Sequence, residues 1–197
     1  VYSDLTLQLA SFGGHIEMIE VDELSFLRKE VSTGEVSTRL NIFRSEFDIH
    51  PDCSEEDLKQ AARTSIALDR LIEKHNLGSL AYFYSGSGIP ENEESISSII
   101  LANSLLTSAG IPVAGEYEIK NVQAMKIMDG FGAGGSFTEF YALDFKDDVV
   151  LMGHDGPGHL AIAQGKTKVK PLDVYHGKTG KGLSVEMSVR HGDITIL

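Results

Sequence analysis

Apolar positions with helical spacing alternate with short apolar runs in the middle of the chain. Ser54 to Asp57 form a capping-box pattern, in which a hydroxyl accepts a hydrogen bond from a free backbone amide and a carboxylate follows three residues later. Helical spacing then continues to Asn76 and Gly78, which are typical residues of helix ends. Two further helices are predicted at 93–109 and 119–128, and two buried strands at 80–84 and 111–114.

The order of these elements predicts an α/β fold. Strand, helix, strand and helix in succession are typical of a parallel sheet with crossover helices. Residues 1–50 alternate only weakly and are predicted to form strands and loops. After Gly135 the spacing changes to period two, which indicates a β-rich, antiparallel and barrel-like part. We therefore predict a Rossmann-like central α/β domain at 1–135 and the start of a β-rich C-terminal domain at 136–197.

Charge and composition exclude several classes of partner. The formal net charge of -12 is the opposite of the basic surface that nucleic acids and anionic membranes attract. The most apolar stretch, 96–114, is broken by polar residues and Pro112, so it does not fit a membrane helix of roughly twenty apolar residues. Cys53 is the single cysteine, which rules out an intrachain disulfide and fits a reducing compartment. We expect a cytoplasmic protein that binds neither nucleic acid nor membrane.

Glu139 is the first candidate for chemistry. Alternate residues of a strand share a face, so Glu139 shares one with Phe137, Tyr141 and Leu143. A lone carboxylate on an apolar face is costly unless it is paired or binds a metal ion. The alternative is a strand whose apolar face is only half buried, in which case the carboxylate needs no partner.

His154 is the second candidate, because a hairpin brings it close to Glu139. If Lys146 and Asp147 form a two-residue turn, Glu139 lies opposite His154, and directly opposed residues have Cβ atoms roughly 5 Å apart. A register slip by one residue would place Asp155 there instead.

Glu116 is the third candidate, since it follows the strand predicted at 111–114. Ligands of open α/β sheets bind outside the carboxyl ends of the strands. The loop 85–88, which begins with Ser85, lies at the corresponding end of the other strand. Alone, Glu116 also fits a solvated loop residue. Two carboxylates and one imidazole suit Mn²⁺, or more weakly Mg²⁺, better than a metal that prefers thiolates.

Two other features have simpler interpretations. The glycine-rich stretch 130–135 follows a helix instead of joining a strand to a helix, which favours a flexible connector over a phosphate-binding loop. His159 belongs to a tight turn that also contains His154, so it fits either a substrate contact or a structural turn residue.

Three stretches resemble the L-arabinose isomerase and L-fucose isomerase superfamily. They are 115–116 (Gly-Glu), 136–141 (Ser-Phe-Thr-Glu-Phe-Tyr) and 149–154 (Val-Val-Leu-Met-Gly-His), in the same order and with similar spacings of 23 and 15 residues between the candidate ligands. The stretch 172–177 is also similar to a downstream part of arabinose isomerases. The similarity covers about residues 50–197.

This resemblance implies a metal-dependent isomerase that interconverts an aldose and a ketose through an enediol. By position, Glu116 and Glu139 are expected to be metal ligands and the acid/base pair, with His154 a further ligand in the arabinose-type pattern. The metal implied is Mn²⁺, or another divalent cation such as Mg²⁺, which polarises carbonyl and hydroxyl oxygens. A pentose or 6-deoxyhexose is the expected substrate, and three side chains are expected to contact it: Tyr141, His159 and Ser85.

The resemblance also implies part of a longer, homo-oligomeric enzyme. Relatives have a domain before this region and another histidine after it, so the 197 residues alone are expected to show little activity. The first residue, Val1, and the strand-like end at 194–197 also point to excision from a longer chain. The alternatives are a non-catalytic carbohydrate-binding module and a segment that only supports oligomerisation; binding of a metal ion distinguishes the enzyme from both.

Overall fold

The structure is a computed structural model that describes residues 5–85, 88–132, 134–172, 174–175, 178–179 and 182–197. Its helices are Leu5–Phe12 (α1), Val21–Lys29 (α2), Thr33–Glu46 (α3), Glu55–His75 (α4), Pro90–Ser97 (α5), Ile100–Ser108 (α6) and Ile119–Gly130 (α7). Its strands are Asp48–Ile49 (β1), Leu80–Ala81 (β2), Val113–Ala114 (β3), Glu139–Asp144 (β4), Val149–Gly153 (β5), Lys168–Pro171 (β6), Val174–Tyr175 (β7), Lys178–Thr179 (β8) and Leu183–Glu186 (β9).

These elements form a mixed α/β structure, which confirms the predicted fold class at that level. Strands β2 and β3 pair in parallel, with Leu80 opposite Val113, and α5 and α6 connect them. A three-stranded sheet has β6 at its centre, parallel to β1 and antiparallel to β9. Strands β4 and β5, and β7 and β8, form antiparallel pairs, and the sheets of the described residues do not close into a barrel.

The prediction of strands and loops for residues 1–50 is wrong, because most of this region is helical. The helix α3 begins with a capping box in which the Ser32 hydroxyl accepts from the Glu35 amide and the Glu35 carboxylate accepts from the Ser32 amide. Its buried residues Val36, Leu40 and Phe43 are spaced by four and three positions. That spacing is helical, but the polar residues between these positions and the exposed Ile42 mask it in a short window.

The helix predicted at 93–109 is interrupted. The hydroxyls of Ser95 and Ser98 donate to backbone carbonyls four residues earlier, at 2.8 and 2.6 Å. Such bonds compete with the regular ladder and often bend helices. At the interruption between α5 and α6, the backbone of Gly182 approaches so closely that a Cβ there would lie 2.5 Å from the Ser97 carbonyl oxygen.

The long helix α4 lies between two hydrophobic clusters. Its residues Leu68 and Leu71 pack with buried side chains of α2, α5, α6 and β3. On its other side, Leu58 packs with Phe43 of α3 and with buried residues of α6, β6 and β9. The Ser54 hydroxyl caps the start of α4, and Asn76 ends it in the left-handed conformation, as its sequence predicts. Because α4 touches both clusters, it connects helices α2, α3, α5 and α6 with strands β3, β6 and β9.

Strands β6 and β9 belong to this core although they follow residue 135. Val169 of β6 and Leu183 of β9 are almost completely buried against Phe43 and Leu101. The domain boundary near residue 135 stays a prediction, and the chain on its far side returns to pack on helices of the near side.

The β4–β5 hairpin is an exposed arm, here called the arm (residues 139–153). Its two strands contact mainly each other. The large apolar side chains of the arm are exposed on both faces of the ribbon: Phe140, Tyr141, Leu143, Phe145, Val149, Val150 and Leu151. A two-stranded ribbon contributes little stability of its own in water, so the stability of the fold resides in the two clusters around α4.

The different contributions of the core and the arm to stability can be tested by replacing one phenylalanine of each with alanine. Phe43 is 0% exposed and Phe145 is 90% exposed. We expect Phe43→Ala to lower the free energy of unfolding by about 3–5 kcal/mol, because it leaves a cavity in the core. Phe145→Ala should change it by less than about 0.5 kcal/mol. Urea unfolding followed by circular dichroism measures both, and equal losses would contradict the assignment of the core.

His75 joins the end of α4 to the segment before α2. Its Nδ1 lies 2.6 Å from a Glu17 carboxylate oxygen, and its Nε2 lies 2.6 Å from one of Glu23. Lys74 shares the Glu23 oxygen at 2.8 Å. The hydrogen bond with Glu23, and then that with Glu17, raise the pKa of His75 above its ordinary value. Only the protonated ring can donate to both carboxylates at once.

The folded protein should therefore lose stability as the pH rises. A raised folded-state pKa stabilises the fold fully below the unfolded value of about 6.5, and this contribution disappears as the pH passes the folded value. We expect the urea midpoint of the wild type to exceed that of His75→Gln at pH 6, and the difference to shrink towards pH 9. His15→Gln, which changes an exposed histidine, is the control. A difference that grows with pH would refute the linkage.

Candidate functional site

Glu139 lies where the buried part of the chain passes into the arm. Phe137, two residues earlier, is buried in a small cluster with Ala114, Val122 and Met125. Beyond Glu139 the side chains of β4 become exposed. The face predicted to be apolar is thus solvated along most of its length, which agrees with the half-buried alternative, and Glu139 stands at its protected end.

The predicted pairing of Glu139 with His154 is wrong by one residue. Near the turn, Asp144 pairs with Val149, the register that the prediction implies. A β-bulge between Phe140 and Ala142 then shifts the register, so that Glu139 pairs with Gly153. The extra residue is Tyr141, whose ring lies over Gly153; a Cβ on Gly153 would be 2.8 Å from that ring. Bulges of this kind re-aim side chains, and sequence spacing does not reveal them.

Glu139 and His154 are nevertheless brought together. The distance from Nδ1 of His154 to Oε2 of Glu139 is 3.7 Å, and their side chains are 13% and 42% exposed. This separation is too long for a hydrogen bond. It is close to the roughly 3–3.5 Å between two ligand atoms that each lie about 2.1 Å from one ion. The pair therefore has the donor types and nearly the spacing of two metal ligands.

The ring of His154 is held in place from three sides. Its centroid lies 4.4 Å from that of Phe137 in an edge-to-face arrangement of 84°. A Cβ on Gly115 would lie 3.9 Å from its Cε1 atom, and a Cβ on Gly156 would overlap its Nε2 atom. Gly115 directly precedes Glu116, so the histidine lies beside the end of strand β3.

Glu116 lies in a strained turn that follows β3. Glu116 and Tyr117 have φ angles of 58° and 57°, in the left-handed region that non-glycine residues rarely adopt. Two backbone hydrogen bonds stabilise the turn. The Glu118 amide donates to the Gly115 carbonyl at 3.0 Å, and the Tyr117 amide donates to the Tyr82 carbonyl at 3.1 Å. Such strain costs about 1–3 kcal/mol per residue and is concentrated at functional sites.

The described residues contain no group of three His, Cys, Asp or Glu side chains arranged to hold a metal ion. The structure thus brings Glu139 and His154 together and places Glu116 on a neighbouring turn. The complete three-ligand site stays a prediction.

Tyr141 and Ser85 lie near the same edge. Tyr141 is exposed, and desolvation and then the negative charges of Glu139 and Asp155 raise the pKa of its hydroxyl. Ser85 is half-buried a few residues after β2. Its neighbours Gly86 and Ser87, and also Ala133 of the glycine-rich connector, lie outside the described residues. So do three residues of the stretch that resembles a downstream part of arabinose isomerases: Asp173, His176 and Gly177.

His159 has the contacts of a structural turn residue, one of its two predicted alternatives. It is buried, and its Nδ1 accepts a hydrogen bond from the Ala161 amide at 3.2 Å. Its Nε2 atom faces Gly134, where a Cβ would lie only 2.8 Å away. Burial lowers the pKa of the ring, so the neutral form is favoured. His159 therefore fixes the glycine-rich connector against the loop that follows His154.

Two serines that the sequence did not single out hold this loop. The hydroxyl oxygens of Ser104 and Ser108 on α6 accept hydrogen bonds from the amides of Gly158 and Leu160, at 3.2 and 2.8 Å. Two serines spaced by four on α6, which also contains Asn103 and Thr107, were the available signal, but their partners are about fifty residues away in the chain. The loop carrying His154 is thereby attached to the core helix α6.

Comparison with known proteins adds no assignment: no protein-family model and no curated protein matches the sequence. Within the described part of the chain, no helix has the length and apolar character needed to cross a membrane.

The strained turn supports a prediction about stability. Asparagine adopts the left-handed conformation more readily than glutamate. We expect Glu116→Asn to raise the free energy of unfolding by about 0.5–1 kcal/mol, because it relieves part of this strain. Glu30→Asn is the control, since Glu30 has an ordinary φ of -85°. Thermal or urea unfolding measures both, and a destabilised Glu116→Asn protein would show that the turn is not strained.

Proposed function

We propose that the chain carries part of the metal-binding catalytic centre of an aldose–ketose isomerase that acts on a pentose or 6-deoxyhexose such as L-arabinose or L-fucose. The observation that carries this proposal is the 3.7 Å contact between Glu139 and His154. The pair lies next to Gly115, at the end of β3 from which the strained Glu116 turn begins. The three residues in which the sequence resembles the isomerases thus belong to neighbouring segments.

The donor set fits a hard or borderline divalent cation. Carboxylate oxygens and one imidazole suit Mn²⁺, and the thiol of Cys53 lies elsewhere, in the cluster around Phe43. Glu139 and His154 would hold the ion, with Glu116 completing the set from its turn. The bound cation would polarise the carbonyl and the adjacent hydroxyl of the sugar.

The carboxylates would then transfer protons. Isomerisation removes the proton from C2 of the aldose and delivers one to C1; through an enediol, the C1 carbonyl oxygen becomes a hydroxyl and the C2 hydroxyl oxygen loses its proton to become the carbonyl. One carboxylate serves as the base towards carbon, and the other moves the oxygen-bound proton. Glu139 is partly exposed and Tyr141 lies over Gly153 of the neighbouring strand; in this proposal Tyr141 would line the sugar.

The finer architecture belongs to the same proposal. The parallel β2–β3 pair with its connecting helices would belong to a Rossmann-like domain, and the β4–β5 arm would begin a β-rich one. A homo-oligomer is supported by the arm, whose large apolar side chains are exposed side by side, since contiguous exposed apolar patches often mark protein–protein interfaces.

A second candidate is a carbohydrate-binding module without catalysis. The observation that favours it is the ring stack of Phe83 and Tyr117, with centroids 5.1 Å apart, beside the Glu116 turn. Aromatic rings line sugar sites whether or not chemistry follows. Metal affinity at Glu139 and His154 separates the two candidates.

Titration with Mn²⁺ tests whether Glu139 belongs to a metal site, as the isomerase proposal requires. The free ion gives an electron paramagnetic resonance signal that is lost on binding. We expect Glu139→Gln to weaken binding at least about tenfold, because it removes a charged ligand. Glu186→Gln is the matched control, since Glu186 is an exposed carboxylate paired with Lys170 on β6. Absence of Mn²⁺ binding by the wild type, or equal binding by Glu139→Gln, would favour the binding module. Ketose formation from L-arabinose and L-fucose is the activity assay.

A further inference from the structure

Three aromatic rings gather at the edge where Glu116 lies. Phe83 and Tyr117 are stacked, with an interplanar angle of 12°, and Phe83 also contacts Tyr84 at 4.5 Å between centroids. Phe83 and Tyr84 are partly buried, whereas Tyr117 is 41% exposed. Tyr117 is therefore the most exposed ring of this cluster.

The backbone at Tyr117 is in a strained conformation. A left-handed conformation is a genuine outlier for a bulky residue, and Tyr117 adopts it directly after Glu116 does. The hydrogen bond from its backbone amide to the Tyr82 carbonyl and the stacking of its ring on Phe83 offset part of this strain. The core does not require this ring, because Tyr117 belongs to none of the buried clusters. Strained residues that lie outside the core are concentrated at ligand-binding and active sites.

The position of the ring relates it to the candidate ligands. Tyr117 is two residues from Gly115, so their Cα atoms are at most about 7.6 Å apart. Gly115 itself lies against the ring of His154. Tyr117 and the ring of His154 are therefore both close to Gly115, the first along the chain and the second by contact.

We propose that Tyr117 is a sugar-contact residue, with the open side of the Phe83–Tyr117 stack taking the C–H face of a neutral, unphosphorylated sugar. A sugar ring has an apolar C–H face and polar edges. The aromatic ring supplies dispersion and weak C–H contacts to the face, and nearby carboxylates accept from the hydroxyl groups. The acidic residues around the turn, together with the net charge of -12, disfavour a phosphorylated sugar. This inference rests on the proposed function.

Saturation-transfer NMR on the 197-residue chain tests it, with L-arabinose and L-fucose as probes and Mg²⁺ as a diamagnetic ion. Tyr117→Asn removes the ring while asparagine tolerates the left-handed backbone. We expect it to bind the sugar about three- to tenfold more weakly, with Mn²⁺ affinity changed less than twofold. Phe83→Leu, which removes only the supporting ring, should give a smaller loss. Phe131→Asn is the matched control, since Phe131 is an exposed aromatic at the end of α7.

Each outcome decides the proposal. Weaker sugar binding by Tyr117→Asn alone, with Mn²⁺ binding retained, supports it. Unchanged sugar binding by Tyr117→Asn overturns it while leaving the isomerase proposal intact. An equal loss of sugar and Mn²⁺ binding assigns Tyr117 to the fold of the turn and also overturns it. If the wild-type chain binds Mn²⁺ at Glu139 but transfers no saturation to either sugar, the proposed sugar contact of Tyr117 is overturned. If it binds neither Mn²⁺ nor a sugar, the proposed isomerase function is overturned as well.

Discussion

The burial of helix α4 between two hydrophobic clusters is the constraint on which the rest of the structure depends. Helix α6 packs against α4 and leads into strand β3. The hydroxyls of its residues Ser104 and Ser108 accept hydrogen bonds from backbone amides of the loop that follows His154. The candidate site contains little buried surface of its own. Its geometry is fixed by contacts with a core formed by other residues, such as those between α6 and the loop after His154.

Glycine and strain shape the site itself. Gly115, Gly153 and Gly156 leave room for the rings of His154 and Tyr141, which a Cβ at the last two positions would displace. Glu116 and Tyr117 adopt the left-handed conformation that glycine would adopt without strain. Side chains are therefore retained where the backbone favours their absence, which is the pattern expected when the side chains serve a ligand.

The site lies at a transition between two environments. On one side Phe137 is buried, and on the other the arm is exposed on both faces. Glu139 stands at this boundary with its side chain 42% exposed, so it remains accessible from solvent. The same boundary explains why a histidine held by Phe137 and a partly exposed Glu139 can face each other without a hydrogen bond.

The sequence by itself determined the α/β class, the helix α4 with its caps, and the three candidate ligands, because these depend on local spacing and on residue type. It did not reveal α3, whose apolar positions lie among polar residues, or the interruption after α5, which depends on serine hydroxyls and on Gly182 from far along the chain. Only the tertiary structure decided the bulge at Tyr141, the left-handed turn at Glu116 and the attachment of the His154 loop to α6. The physical reason is that each of these results from contacts between segments distant in sequence, whereas periodicity reports only the environment of one segment at a time.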